Sequence, residues 1–230
     1  MGQAVLPGNP PVEITLRRSA RARRVSLRVS ALDGRVTLSM PNHMDEAEAL
    51  NFAREKSGWI RSHLARQDAP VDVGLGATVM VRGQDIVVTG ARVRRVSLQD
   101  GALLVPDNAD MAAARVRAWL RLDAKTRLAE AVDRYAARAG RKVGRITLRD
   151  TRSRWGSCTA TGNLNFSWRL AMAPPEALDY VAAHEVAHLV EMNHSAAYWR
   201  VVARICPDYE TPRRWLKTQG HRLHRYRFGD

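Results

Sequence analysis

The segment His184-Glu185-Val186-Ala187-His188 constrains this chain more than any other, because its chemistry works only on a helix. Side chains four residues apart in an α-helix stand one turn above each other on the same face. A helix therefore aims the His184 and His188 imidazoles at one point and leaves Glu185 beside them as a base for water. Two histidines so placed are two ligands for a divalent cation. A catalytic zinc site takes three protein ligands in a tetrahedral arrangement and keeps one position open. The flanking residues, Val181-Ala182-Ala183 and Val186-Ala187, are apolar, so the expected helix is one that the core surrounds.

A third ligand must come from elsewhere. His194 follows His184 by ten residues, the spacing of the long pattern H-E-x-x-H-x-x-G-x-x-H. Glu191 stands where that pattern has glycine. The turn back towards the cation is then expected at Met192-Asn193, since asparagine tolerates the left-handed conformation. Glu191 competes with His194 as the third ligand. Two blander explanations exist. The histidines could be satisfied core residues, but a lone histidine suits that reading better than three beside a glutamate. A purely structural zinc site would have no use for Glu185 and usually includes cysteine.

The chain offers only Cys158 and Cys206, too few for a disulfide scaffold or a cysteine-ligated structural zinc. Its 230 residues, 45% hydrophobic, suffice for one large domain or two small ones. The net charge is +14, and arginine supplies nearly all the cations, the lysines being Lys56, Lys125, Lys142 and Lys217. A coding bias towards arginine and alanine explains this as readily as a polyanionic partner does. Such a field nevertheless attracts nucleic acid non-specifically. Residues 1–11 carry no apolar leader, and no run approaches the roughly 20 apolar residues that span a bilayer. A reducing, cytoplasmic setting without membrane contact is expected.

Hydropathy alternation predicts a hairpin from Val25 to Val29 and Val36 to Met40 across Asp33-Gly34, after a Gly/Pro-rich start expected to fray. A helix rich in acid at its start should run from Asp45 to about Arg66. Short strands are expected at 79–81, 86–89, 93–98 and 103–105. A long helix should follow to about Ala139, capped by Asp107 or Asn108, with Gly140 beyond it. Then come a strand at 146–148, a hairpin of 155–158 with 164–170 across Thr161-Gly162, and the metal helix from Pro174 to about Met192-Asn193. A short helix from Ser195 to Ile205 and a basic one over 212–224 close the chain. The domain expectation is a β-rich region with one helix over 1–106 and a metal-binding catalytic domain over 107–230. No internal repeat or low-complexity tract stands out.

The runs Arg154-Trp155-Gly156-Ser157-Cys158, Asn163-Leu164-Asn165, Trp168-Arg169-Leu170, Asp179-Tyr180-Val181, His184-Glu185…His188-Leu189, Met192-Asn193-His194-Ser195 and Tyr198-Trp199 together resemble the YgjP-like metallopeptidases, bacterial relatives of the SprT-like and WLM proteins. The likeness is dense over about residues 145–210, and Tyr198 stands where phenylalanine is more usual. It implies an α+β, zincin-like metallopeptidase domain, a small mixed sheet plus an active-site helix, preceded by a β-rich region. It also implies His184, His188 and His194 as ligands of one Zn2+ (or another divalent transition metal) and Glu185 as the base.

The residues then support a zinc-dependent hydrolase acting on polypeptide. The strand 164–170 is expected to edge the cleft and take substrate by β-pairing. Asn163 and Asn165 are candidates to hydrogen-bond substrate, Arg154 and Arg169 to hold a carboxylate or phosphate, and Tyr198 to meet an oxyanion. Hydrolysis of nucleotides or other phosphoanhydrides is the alternative that the arginine excess suggests. A nucleic-acid-associated metalloprotein is a further one, suggested by the clusters Arg17, Arg18, Arg21, Arg23, Arg24 and Arg213, Arg214, Lys217, Arg222, Arg225.

Overall fold

The computed structural model describes residues 2–30, 34–65 and 69–229. Asp33, of the turn expected at 33–34, and Arg66, the expected helix end, lie outside them. The chain divides into two compact units, residues 1–69 and 70–230.

In the first unit, strands β1 (Gly2–Leu6), β2 (Val12–Arg18), β3 (Ser26–Val29) and β4 (Val36–Met40) form a sheet in the order β1-β2-β4-β3. The β3/β4 pair is the expected antiparallel hairpin, with Leu27 opposite Leu38. The predicted alternation holds in β4, whose Val36, Leu38 and Met40 are all buried; β2, which the sequence reading did not anticipate, buries Val12, Ile14 and Leu16 in the same way. The expected frayed start is instead a strand. β1 pairs antiparallel with β2, and its Leu6 enters the core, which offsets the cost of ordering a Gly/Pro-rich segment. The single expected helix is two, α1 (Glu46–Glu55) and α2 (Ser57–Ala65), separated at Lys56. Asp45 caps α1 by accepting from the Ala47 N–H. Ala49, Ala53 and Ile60 join the core. Trp59 is exposed and packs on the His63 ring rather than inward.

The second unit begins with β5 (Val71–Asp72), then β6 (Thr78–Val81), β7 (Gln84–Ala91), β8 (Ser97–Gln99) and β9 (Ala102–Pro106), the last four ordered β6-β7-β9-β8. A boundary at 106 was expected, yet these strands fall with the metal-binding residues. The cause is packing: Val79, Val81, Val88, Leu103 and Val105 share one continuous core with the helix that follows.

The two four-stranded sheets have the same design. In each, an antiparallel pair is joined by a parallel contact to a second antiparallel pair: β1/β2, β2/β4, β3/β4 and then β6/β7, β7/β9, β8/β9. Aligned by that topology, the sequence does repeat. Arg21-Ala22-Arg23-Arg24-Val25-Ser26-Leu27 leads into β3, and Arg92-Val93-Arg94-Arg95-Val96-Ser97-Leu98 leads into β8, six of seven positions being identical. The strands around them have diverged, as in Ile14-Thr15-Leu16-Arg17-Arg18 against Ile86-Val87-Val88-Thr89-Gly90, so the repeat is hard to see without the fold.

Helix α3 (Ala109–Ala139) is bounded as predicted, by Asn108 accepting from the Met111 N–H (3.1 Å) and by Gly140 at φ 64°. Its buried stripe steps through Ala112, Val116, Leu120, Ala124, Leu128 and Ala131. Next comes a three-stranded sheet of β10 (Ile146–Arg149), β11 (Gly156–Cys158) and β12 (Leu164–Ser167), ordered β10-β12-β11. A 3-10 turn over Trp168–Ala171 leads to α4 (Pro175–Ala187), then α5 (Ala196–Ile205), α6 (Glu210–Gln219), a 3-10 turn over Gly220–His224 and β13 (Tyr226–Arg227), parallel to β5.

Arg169 ties this C-terminal end down. Its Nε and Nη2 donate to both oxygens of Asp150 (2.7 and 3.2 Å), and Nη1 donates to the carbonyls of Leu223 and Tyr226 (3.0 and 3.1 Å). The guanidinium is buried and lies over the Trp168 ring. His224, in the basic segment that closes the chain, is half-buried against Trp155, and burial together with Arg169 lowers its pKa to about 4. Arg169→Met leaves two carbonyls and a carboxylate without their donor, so it should lower stability by about 2–4 kcal/mol in urea denaturation.

Candidate metal centre

Helix α4 is built to be enclosed. Pro175 sits in its first turn, where no N–H is missed, and Ala177, Leu178, Val181, Ala182, Ala183, Val186 and Ala187 are all buried. It packs against α3, α5, α6 and β11. The small alanines allow those close approaches, and the histidines emerge where the helix ends.

The regular helix stops at Ala187, earlier than expected, with His188 as its C-cap. The Val190 and Glu191 N–H groups both donate to the Ala187 carbonyl (3.0 Å), and Ser195 N–H donates to the Asn193 carbonyl (2.7 Å). Among described non-glycine residues only Arg82 and Asp100 have positive φ, so Asn193 makes the turn without the left-handed conformation expected of it. Two tight hydrogen-bonded turns in place of one glycine bring His194 back.

His184, His188 and His194 each offer a ring nitrogen, and these atoms all lie within 4.8 Å of one another. The Nε2 atoms of His184 and His194 are 3.1 Å apart. Tetrahedral coordination with bonds of about 2.0–2.1 Å needs neighbouring nitrogens roughly 3.3 Å apart, so the trio fits one small cation. The outer nitrogens are occupied as ligation requires: His188 Nδ1 donates to the Glu191 carbonyl (3.1 Å), and His184 Nδ1 lies 3.4 Å from the Tyr180 hydroxyl. Glu191 thus contributes its backbone, and its carboxylate is no part of the cluster. Burial lowers the His184 pKa to about 3, the neighbouring His188, His194 and Arg213 adding to the effect, and burial likewise lowers that of His188. Both rings are therefore neutral at pH 7, the form that ligates a metal.

Glu185 is 3% exposed, and its Oε2 has no hydrogen-bond partner among the described residues. Burial raises its pKa to about 8, against a smaller opposing effect of Arg154. A carboxyl buried without a partner is costly unless a cation or water completes it. Gly156 makes the approach possible. A Cβ there would sit 2.5 Å from Glu185 Oε1, so only glycine lets β11 lie against this carboxyl.

The other expected site residues are scattered. Tyr198 is fully buried under the three imidazoles and donates to the His184 carbonyl (3.0 Å), so it supports the ligands from below. Arg169 is the buried clamp described above. Asn163 holds the β11–β12 turn, its Oδ1 accepting from the Arg145 N–H (2.8 Å) and its Nδ2 donating to Thr161. Asn165 Nδ2 donates to Ser157 Oγ across the β11/β12 pair (3.4 Å). Of the candidates named for substrate, Arg154 alone is exposed with no side-chain partner among the described residues, and its charge acts on Glu185. The strand 164–170 does not edge the sheet. Its extended part, β12, is central, and the free edge next to Glu185 belongs to β11. Cys158, on β11, is half-buried beside Glu185, both effects raising its pKa, and its Sγ donates to the Thr159 carbonyl.

Sequence reasoning missed Gly156 as a spacer and an aromatic file beside the ligands. Trp199 stacks on Tyr209 (5.5 Å), Tyr209 on Tyr180 (6.4 Å), and the Arg213 guanidinium covers Trp199 at 4.3 Å. Trp199 lies 6.2 Å from the His184 ring and 6.1 Å from the His194 ring. A mid-strand glycine was the only signal for Gly156. Nothing local in sequence joins residues 180, 199, 209 and 213.

A family model for the YgjP-like metallopeptidase domain matches residues 23–219. The chain belongs to the YgjP-like family. The match runs from within the first basic loop through α6 and so takes in β3 and β4 of the first sheet, the whole of the second four-stranded sheet and the histidine cluster. This YgjP-like chain is accordingly a metallopeptidase at the coarse level of its family, with an α+β zincin-like domain and a three-histidine cluster that could hold a metal ion. No curated protein matches it. A crystal structure of the metallopeptidase zymogen of Pyrococcus abyssi abylysin overlaps 40% of this chain and 95% of its own, at 19% identity and a TM-score of 0.36. No described helix is long and apolar enough to cross a membrane.

The raised Glu185 pKa has a stability consequence in metal-free protein. The folded state holds this proton more tightly than the unfolded one, so the stabilisation is complete below pH 4.5 and is lost as pH rises through about 8. Urea titrations of chelator-treated protein should show the wild type losing, relative to Glu185→Gln, on the order of a few kcal/mol between those values.

Proposed function

We propose that this protein is a zinc-dependent peptidase in which His184, His188 and His194 hold one Zn2+ and Glu185 is the general base. The observation that carries this reading is the convergence of three imidazoles beside a buried carboxyl with an oxygen that has no partner among the described residues. Three histidine nitrogens suit zinc, and a site without a fourth protein ligand is of the catalytic kind. The bound ion would supply Lewis acidity, polarising the scissile carbonyl and acidifying water.

The chain's own residues do the rest. Glu185 takes the proton from the attacking water and passes it to the departing amine. Its raised pKa in the empty protein suits both halves of that task, since the group holds or releases a proton near neutrality. Tyr198 and Tyr180 fix the backbone and ring of His184. The free edge of β11 offers backbone groups to which an extended peptide can add as a further strand, next to Glu185.

A second reading rests on Arg154 and Arg213, exposed guanidiniums without a carboxylate partner among the described residues, whose charges are felt by Glu185 and His184 respectively. Such groups stabilise phosphoryl charge, so nucleoside triphosphates are the alternative substrate class. Metal-dependent release of phosphate from them, with peptides left intact, would favour it.

Two variants test the first reading. Glu185→Gln should lower kcat/KM on unfolded protein by about 10²–10⁴ while zinc stoichiometry stays at the wild-type level. His194→Ala should lose both stoichiometric zinc and activity. If zinc-loaded wild type and Glu185→Gln are equally inactive on every polypeptide, the peptidase assignment fails.

A further inference from the structure

The duplicated heptapeptide divides into a half that the fold explains and a half that it does not. Val25 and Leu27 pack against the core of the first unit, and Val96 and Leu98 against that of the second. Leu27 stands opposite Leu38 on β4, and Leu98 opposite Leu103 on β9. These apolar positions must stay for the sheets to close. The arginines are under no such demand. Arg21, Arg23 and Arg24 are exposed, and so are Arg92, Arg94 and Arg95. Among the described residues none of the six side chains makes a hydrogen bond or an ion pair. By contrast Arg18, just before the first loop, is committed to the fold, donating to the Asn42 and Met44 carbonyls at 2.9 Å each.

The neighbouring strands have drifted apart in sequence, yet the spacing Arg-x-Arg-Arg is the same in both copies and so is its exposure pattern. Packing cannot be what keeps these cations, so the demand comes from outside the chain. A guanidinium fork binds phosphate oxygens in pairs, and three such groups within four residues match closely spaced phosphates. Neither heptapeptide holds an acid or an aromatic ring. The loops therefore have no means of stacking on bases, and they offer charge and hydrogen bonds to a backbone alone.

We propose that the loops Arg21–Leu27 and Arg92–Leu98 are two equivalent docking elements for the phosphate backbone of a nucleic acid, read without regard to base sequence. This docking function is separate from the metal centre and does not depend on the peptidase assignment.

The test is equilibrium binding of a fluorescein-labelled mixed-sequence DNA duplex to the full chain over a range of salt concentrations. Four proteins are compared: wild type, Arg21→Gln/Arg23→Gln/Arg24→Gln, Arg92→Gln/Arg94→Gln/Arg95→Gln, and a control triple, Arg121→Gln/Arg141→Gln/Arg149→Gln. The control removes the same charge from exposed arginines elsewhere. Each loop triple should weaken binding at least about tenfold at low salt and flatten the slope of log K against log salt by roughly 2–3, one contact per lost arginine. The control should leave the slope within about one contact of wild type. Changing the duplex sequence should change nothing. Thermal midpoints of all four proteins should agree, since the partly buried Val and Leu positions that pack on the cores are untouched.

Equal losses in the control and loop triples would overturn the proposal in favour of bulk charge. So would vesicles of anionic lipid that bind through these loops while the duplex does not.

Discussion

The closeness of β11 to α4 is the constraint on which the site rests. Glu185 is a carboxyl inside a protein, and its environment is set by what covers it. Gly156 lets a strand lie where any side chain would collide with the carboxyl. The same contact does two things. It helps to dry the acid, whose pKa burial lifts to about 8, and it puts a free sheet edge beside Glu185. Moving β11 away would hydrate Glu185 and return it to an ordinary carboxylate.

Around that contact the second unit acts as a support for three imidazoles. The apolar length of α4 is sunk among α3, α5 and α6, so its end is held rigidly. Tyr198 rises from α5 beneath the rings, and Tyr180 braces His184 one turn away on α4 itself. His184 and His188 are thus each held by a second side chain or a backbone carbonyl, which is how a site keeps its geometry before a cation arrives. The arginine clamp at Asp150 secures the C-terminal turn against Trp155, one residue from Gly156, and so stiffens the same strand from the other side. The first unit is organised differently. It contributes no residue to the cluster, and its distinguishing surface is a basic loop that the second unit repeats.

Much of this was legible residue by residue. The caps of α3, the hairpin β3/β4 and the turn between β11 and β12 follow from asparagine, glycine and alternating apolar residues, whose effects are local. The errors were also physical. β1 forms because it pairs with β2 and its Leu6 joins a core that extends to Ile60, a reward that composition does not display. Residues 70–106 join the metal-binding unit because their valines and leucines face α3, and nothing in a strand's own sequence names its partner. Tyr198 and Arg169 were read as substrate-facing because polar groups near a site suggest contact, but both are buried and spent on backbone carbonyls. The repeat escaped notice because only its loop stayed recognisable while its strands changed residues within the same pattern.

The sequence by itself determined that His184 and His188 share one face, since their spacing becomes geometry once a helix forms and helix periodicity is invariant. It also determined where most elements begin and end, because caps and turns are short-range chemistry. Only the tertiary structure decided how His194 returns without glycine, which strand presents its edge and which residue yields space to Glu185. Those depend on contacts between segments far apart in the chain, where packing density and burial, rather than local preference, select one arrangement.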